Sequence, residues 1–162
     1  MSDSEIPSNP STSNTDINAQ GQCPCGETQF KIVGKPIIRA ICHCTICQEF
    51  NQGPYGDIVI FRNKDIQLPK DNTVAFKAYA FPPVVQRGKC TACNQPAIEF
   101  IPGLTIVPSH TLKDSDVLPE VSFHSFYHRR VEDAQDPLPK YSGYLTSQVC
   151  FMGKLMAALL RA

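Results

Sequence analysis

The chain has 162 residues, 15 Lys plus Arg against 15 Asp plus Glu, 14 Pro, no Trp and 8 Cys. A length of this order suits a single core. The formal charge of zero excludes the clustered excess of bases that a nucleic-acid or anionic-membrane footprint requires. No run of about 18 apolar residues is present, so no membrane-spanning helix is expected.

Residues 1–22 are built from Ser, Asn, Thr, Asp and Pro, which bury too little apolar area to offset chain entropy, and they read as a disordered tail. The tail holds Asp3, Glu5 and Asp16 and no base, so the rest of the chain carries 15 bases against 12 acids. It also lacks the basic start and apolar stretch of an export signal, which predicts a cytoplasmic, reducing location. From Cys23 the texture is β. TQFKIVG and IIRAIC, divided by Gly34-Lys35-Pro36, read as a hairpin. A short turn or helix follows at CQEFNQG. Strand patterns then recur at DIVIF, TVAFKAYAF, AIEFI, LTIVP and VSFHSFYH, between Pro, Gly, Asn and Asp clusters. Residues 23–145 are therefore expected to form a mainly β, antiparallel domain. Residues 146–162 form an amphipathic helix capped by Thr146 or Ser147, packing Val149, Met152, Leu155, Met156, Leu159 and Leu160 on that domain.

Eight cysteines in this length admit a disulfide framework or metal sites, and a reducing compartment favours metal. Seven of them lie in three clusters: Cys23-Pro24-Cys25, Cys42-His43-Cys44-Thr45-Ile46-Cys47 and Cys90-Thr91-Ala92-Cys93. Zinc takes four tetrahedral ligands, and two tight turns that each present two thiolates complete such a shell. The simplest partition puts Cys23, Cys25, Cys90 and Cys93 in a closed structural site. Cys42, Cys44 and Cys47 are then an open site with one position free for water or substrate. A closed second site, completed by His43 or an acid, is the alternative. Seven thiolates on two Zn²⁺ ions bring the whole chain to about −3, which strengthens the exclusion of nucleic acid.

The order CPCG, CHCTICQ and, about forty residues later, a C-x-x-C pair resembles the glutathione-dependent formaldehyde-activating enzyme family, which includes centromere protein V relatives. The resemblance runs from Cys23 to about Tyr141, with a late echo in DPLPKY. It implies a β-tent zinc fold with a structural zinc on Cys23, Cys25, Cys90 and Cys93 and a second zinc on Cys42, Cys44 and Cys47. It also implies carbon–sulfur lyase chemistry, the reversible joining of formaldehyde and glutathione, with a small-molecule thiol and aldehyde as partners. Lys89 stands where the family has an aromatic, and Asn94 where it has a glycine. Asn tolerates the left-handed backbone such a turn needs.

The alternative function is a non-catalytic zinc module that binds a protein partner through its β surface or helix. A thiol redox sensor is a weaker third reading. His43, between two ligands, is expected to point away from a shared ion. Cys150 is expected to pack as a small hydrophobe, and His110, His124 and His128 to sit at the rim. Arg129 and Arg130 read as a solvated edge that could hold a carboxylate, and Tyr55, between Gly53 and Gly56, as a pocket wall.

Overall fold

The computed structural model describes residues 17–68, 72–112 and 115–162. Residues 1–16, most of the expected tail, lie outside this range. The end of that tail is ordered structure: β1 (Ala19–Gln22) pairs antiparallel with β2 (Gln29–Ile32), and Ala19 is buried. A polar composition concealed this strand because only Ala19 and Gly21 face inward, and Gly21 is required there. A Cβ on it would meet the Phe30 ring at 2.2 Å.

The remaining strands are β3 (Ile38–Cys42), β4 (Gly56–Arg62), β5 (Ile66–Gln67), β6 (Val74–Ala78), β7 (Gln86–Cys90), β8 (Pro96–Ile101), β9 (Leu104–Pro108) and β10 (Val121–Ser125). Two helices are α1 (Thr45–Asn51) and α2 (Tyr144–Arg161). A three-stranded sheet runs β1-β2-β5 and a seven-stranded sheet runs β10-β3-β4-β9-β8-β7-β6. The fold is mainly β, as expected, with one departure from antiparallel order: β10 lies parallel to β3.

The expected hairpin of TQFKIVG and IIRAIC is not formed, because β2 and β3 belong to different sheets. Phe30 and Ile32 enter a core with Val59, Phe61, Ile98 and Val107, whereas Ile38 and Ala40 enter a second core with Ile58, Ile60, Ile106, Phe123 and Leu155. Gly34-Lys35-Pro36 is therefore a crossover between layers. The run DIVIF explains how two cores coexist: Ile58 and Ile60 face one, Val59 and Phe61 the other, so β4 is apolar on both sides. At about 25 cal/mol per Å², each such side chain contributes roughly 2 kcal/mol of burial free energy. Strand β7, QRGKC, escaped sequence reading because its outward alternation is polar and its inward residue is Gly88, where a Cβ would meet Val74 at 2.4 Å.

Helix α2 begins at Tyr144, two residues before its expected start, with Gly143 (φ 86) at the cap and no side-chain capping bond. Ser147 is buried; its hydroxyl accepts from Phe126 N–H (2.9 Å) and donates to the Tyr141 carbonyl (3.1 Å), tying the helix to the end of β10. The packed face is also rotated. Leu155 is buried, and Phe151, Ala158 and Leu159 pack on the second core. Val149, Met152, Met156 and Leu160 are exposed, Leu160 at 85%. The aromatic contact of Phe151 with Phe123, centroids 5.5 Å apart, sets this rotation. No described helix is long and apolar enough to cross a membrane.

Candidate metal centres

The first cluster is assembled at the ends of two hairpins. After β1, Cys23 N–H donates to the Thr28 carbonyl (3.0 Å) and Gly26 N–H to the Cys23 carbonyl (3.0 Å), closing a turn that Gly26 enters at φ 82. At the end of β7, Cys90 N–H donates to the Gln95 carbonyl and Asn94 N–H to the Cys90 carbonyl, both 2.9 Å, with Asn94 at φ 57. The two turns are joined by Thr28, whose hydroxyl donates to the Thr73 carbonyl beside β6. The sulfurs of Cys23 and Cys25 lie 3.3 Å apart, Cys23 and Cys90 3.5 Å, and Cys25 and Cys90 3.7 Å. Cys93 completes a group whose ligand atoms all lie within 4.8 Å of one another. Tetrahedral thiolates about 2.3 Å from an ion are about 3.8 Å apart, so this spacing fits a four-thiolate ion. It is far beyond the ~2.05 Å of a disulfide, and all eight cysteines are free.

The second cluster straddles the junction of β3 and α1. Cys42 ends β3, Cys44 caps α1 with its sulfur accepting from Cys47 N–H (3.3 Å), and Cys47 lies in the first turn. Their ligand atoms form a second group within 4.8 Å. Gly56, opposite Cys42 in the β3–β4 register, makes room for it: a Cβ there would sit 3.2 Å from Cys47 Cβ and 3.5 Å from its sulfur. Cys42 and Cys47 are buried and Cys44 is half-buried, so Cys44 is the member that faces solvent. Hydrogen bonds from Cys42 and Cys47 pull the Cys44 thiol down to about 2. Its partner Cys42 is pushed up to about 12, and contacts with Cys42 and Cys44 raise Cys47 well above the ordinary thiol value as well. By themselves the three sulfurs thus hold one negative charge between them. A divalent cation is what permits all three to ionise, and the residues fit such an ion.

Strand alternation turns His43 away from the thiols, as expected, but into the interior rather than the surface. His43 Nε2 lies 2.9 Å from His124 Nδ1, and His124 Nε2 lies 2.9 Å from Asp136 Oδ2. The Asp136 carboxylate also accepts from Lys140 Nζ (3.0 Å), which holds it down at about 2. With Asp136 accepting from His124, His124 Nδ1 accepts from His43, and His43 Nδ1 is left buried with its lone pair unpartnered. Burial first, and then His124, lower the His43 imidazole to about 4. This chain borders a cavity of about 380 Å³ that Tyr55 lines with Arg39, Asp57, Glu132, Asp133 and Asp136. His124 is therefore buried, not a rim residue; the stretch DPLPKY supplies its anchor.

The other singled-out residues stand apart from both clusters. His128 Nδ1 accepts from Gly143 N–H (2.8 Å), and exposed His110 reaches the Pro96 carbonyl (3.2 Å). Arg129 is exposed, and Arg130 pairs with Asp133 over the Tyr127 ring. Cys150, within α2, is half-buried and not in the core.

A buried ion pair near the triad was not singled out from sequence. Arg87 on β7 and Glu99 on β8 are register partners whose side chains are 11% and 1% exposed, and they pair through Glu99 Oε2. Strand register puts both on the sheet face that carries Cys42 and Gly56. The Arg87 guanidinium is within electrostatic reach of all three triad thiols and lies 5.5 Å from the ring centroid of Phe50, on α1. Glu99 Oε1 has no partner, and burial raises its carboxyl to about 7. The available signal was a lone acid within the apolar run AIEFI.

One group of four thiols and one of three, each able to hold a metal ion, mark a mainly β protein with two cysteine clusters of unequal size. Residues 18–129 match the family described as glutathione-dependent formaldehyde-activating enzyme, and the chain belongs to that family. Its chemistry is thereby tied, at family level, to glutathione and formaldehyde. The fold is similar to a structural-genomics crystal structure of a Rhodobacter sphaeroides protein. That similarity has 15% identity and a TM-score of 0.50, covering 63% of this chain and 96% of that one. No curated protein matches the chain.

Proposed function

We propose that the protein is a zinc-dependent carbon–sulfur lyase resembling S-(hydroxymethyl)glutathione synthase, which reversibly joins a thiol to an aldehyde. The observation that carries this reading is the inequality of the clusters: four thiols saturate a tetrahedral ion, and three leave one position for a ligand from solution. In this reading Cys23, Cys25, Cys90 and Cys93 hold a structural zinc, and Cys42, Cys44 and Cys47 hold the reactive one. A zinc ion held by Cys42, Cys44 and Cys47 would supply a Lewis acid that favours the ionised form of a substrate thiol near neutral pH.

In the reaction, thiol sulfur forms a bond to the aldehyde carbon, the C=O π pair moves to oxygen, and the thiol proton ends on that oxygen. The protein's residues position these partners. Buried Cys42 and Cys47 close the triad from behind, so a ligand approaches past half-buried Cys44. The Cys47 N–H fixes the Cys44 sulfur. Arg87, held by Glu99, is a fixed positive charge beside a site where negative charge develops on oxygen.

The test is metal content per chain, before and after Cys44→Ser, with the absorption of cobalt-loaded protein titrated with glutathione. The expected result is two ions falling to one, with glutathione perturbing only the triad's cobalt. Two equally tight ions, both indifferent to glutathione, would overturn the enzyme. A second reading, a non-catalytic metal module that binds a protein partner, is favoured by the exposed apolar residues Leu145, Val149, Met152, Met156 and Leu160 of α2. It predicts that second outcome.

A further inference from the structure

The thiol triad has two charged neighbourhoods, one of mostly paired acids and one of lysines unpaired among the described residues. On the side of His43, the cavity of about 380 Å³ is lined by Asp57, Glu132, Asp133 and Asp136, with Arg39 committed to Asp57. On the side of α1, the β6–β7 hairpin presents Lys77 and Arg87 as register partners, and Lys89 two residues on projects from the same face. Phe50, one helical turn after Cys47, is the platform beneath them. Arg87 lies 5.5 Å and Lys89 Nζ 5.6 Å from its ring centroid, and Tyr79 meets its edge at 5.8 Å, with Lys77 Nζ 5.1 Å over the Tyr79 ring. Glu99 is occupied by Arg87, whereas neither Lys77 nor Lys89 has an acidic partner among the described residues.

We propose that Lys77 and Lys89, carried over Phe50 and Tyr79 beside the triad, dock the carboxylates of an anionic thiol whose sulfur reaches the half-exposed Cys44 side of the cluster. This rests on the reading of the triad as an open site for a thiol, and adds which face the substrate lies on and what charge it carries. Glutathione has a carboxylate at each end and its sulfur between them, about 4 to 7 Å from the glycyl carboxylate and farther from the γ-glutamyl one, whose side-chain linkage adds two bonds. An anion of that size would be attracted to the lysine face, where aromatic rings exclude water on one side, rather than to the cavity, whose Asp57, Asp133 and Asp136 already pair with Arg39, Arg130 and Lys140 and whose Glu132 adds an acid. Arg87 is excluded from the docking role because its guanidinium is buried and its hydrogen bond is committed to Glu99.

The test uses full-length protein loaded with cobalt. Its absorption spectrum is titrated with glutathione and with the neutral thiol 2-mercaptoethanol, in the parent, Lys89→Gln, Lys77→Gln and the double variant. Both lysines lie outside the two cores, and urea midpoints confirm that each variant folds. The expected result is that each substitution weakens glutathione binding about two- to fivefold, the range of a partly exposed ion pair. The 2-mercaptoethanol titration stays unchanged, and added salt erodes the preference for glutathione in the parent only. If the substitutions change both thiols equally, or neither, the docking face is wrong while the open-site reading survives. If neither thiol perturbs the parent spectrum, the open site itself is wrong and the docking proposal falls with it.

Discussion

Replacing Cys90 with Ser tests whether the four-thiol cluster acts as a tether. Cys23 and Cys90 are 67 positions apart and their sulfurs 3.5 Å apart, so an ion between them closes most of the domain into one loop. Closing a loop of that length removes about 4 kcal/mol of unfolded-chain entropy. The triad spans only Cys42 to Cys47, a stretch that α1 already organises, and the same relation assigns it about 2 kcal/mol less. For a domain of ordinary stability, about 5–15 kcal/mol, the larger loss is a substantial fraction. With a urea slope near 2 kcal/mol per molar, Cys90→Ser should lower the unfolding midpoint by about 2 M and Cys44→Ser by about 1 M. A chelator should lower the parent midpoint and leave Cys90→Ser little further to lose. Equal losses for the two variants, or a parent midpoint unmoved by chelation, would refute the tether.

Leu155→Ala should cost about 2–4 kcal/mol by opening a cavity against Phe123 and Ile60, while Met152→Ser, on the exposed side of the same helix, should stay within about 0.5 kcal/mol; urea midpoints compare them. Burial pushes the Glu99 carboxyl up to about 7, so the folded protein retains a proton that the unfolded chain releases. Its contribution, on the order of 3 kcal/mol at most, is complete below the ordinary carboxylate pKa and is lost as pH rises through about 7. Glu99→Gln should therefore flatten the decline in stability over that window, and an identical pH profile would count against a neutral Glu99. Asp136→Asn removes the carboxylate that anchors His124 and Lys140. It should cost about 1–2 kcal/mol and speed amide exchange at His124 and Tyr141, whose N–H groups bond across to Pro139 and His124.

The cluster that the sequence made most legible was the least dependent on topology. Cys42, Cys44 and Cys47 are brought together by a strand end and one helical turn, a geometry that short spacing dictates wherever the segment folds. The pairing of Cys23 and Cys25 with Cys90 and Cys93 was legible through ligand arithmetic and family resemblance, although nothing local joins them. Asn94 in the left-handed conformation shows how a departure from the usual glycine keeps the turn. The expected hairpin of β2 with β3 failed because alternation specifies which residues are inward but not which of two cores they enter.

Interactions over a few residues set the β texture, the terminal helix and the ligand spacing of seven thiols, and these were readable along the chain. The remaining features came from the tertiary structure. It turned α2 so that Leu155 and Phe151, rather than Met152 and Met156, meet Phe123, since a helix with apolar residues on most sides has no unique face until a partner selects one. It buried His124 through Asp136, and put Arg87 and Lys89 over Phe50 and Lys77 over Tyr79 by pairing β7 with strands on both sides. These contacts join segments dozens of residues apart, where strand register and packing, which no local pattern encodes, determine which charges share a surface.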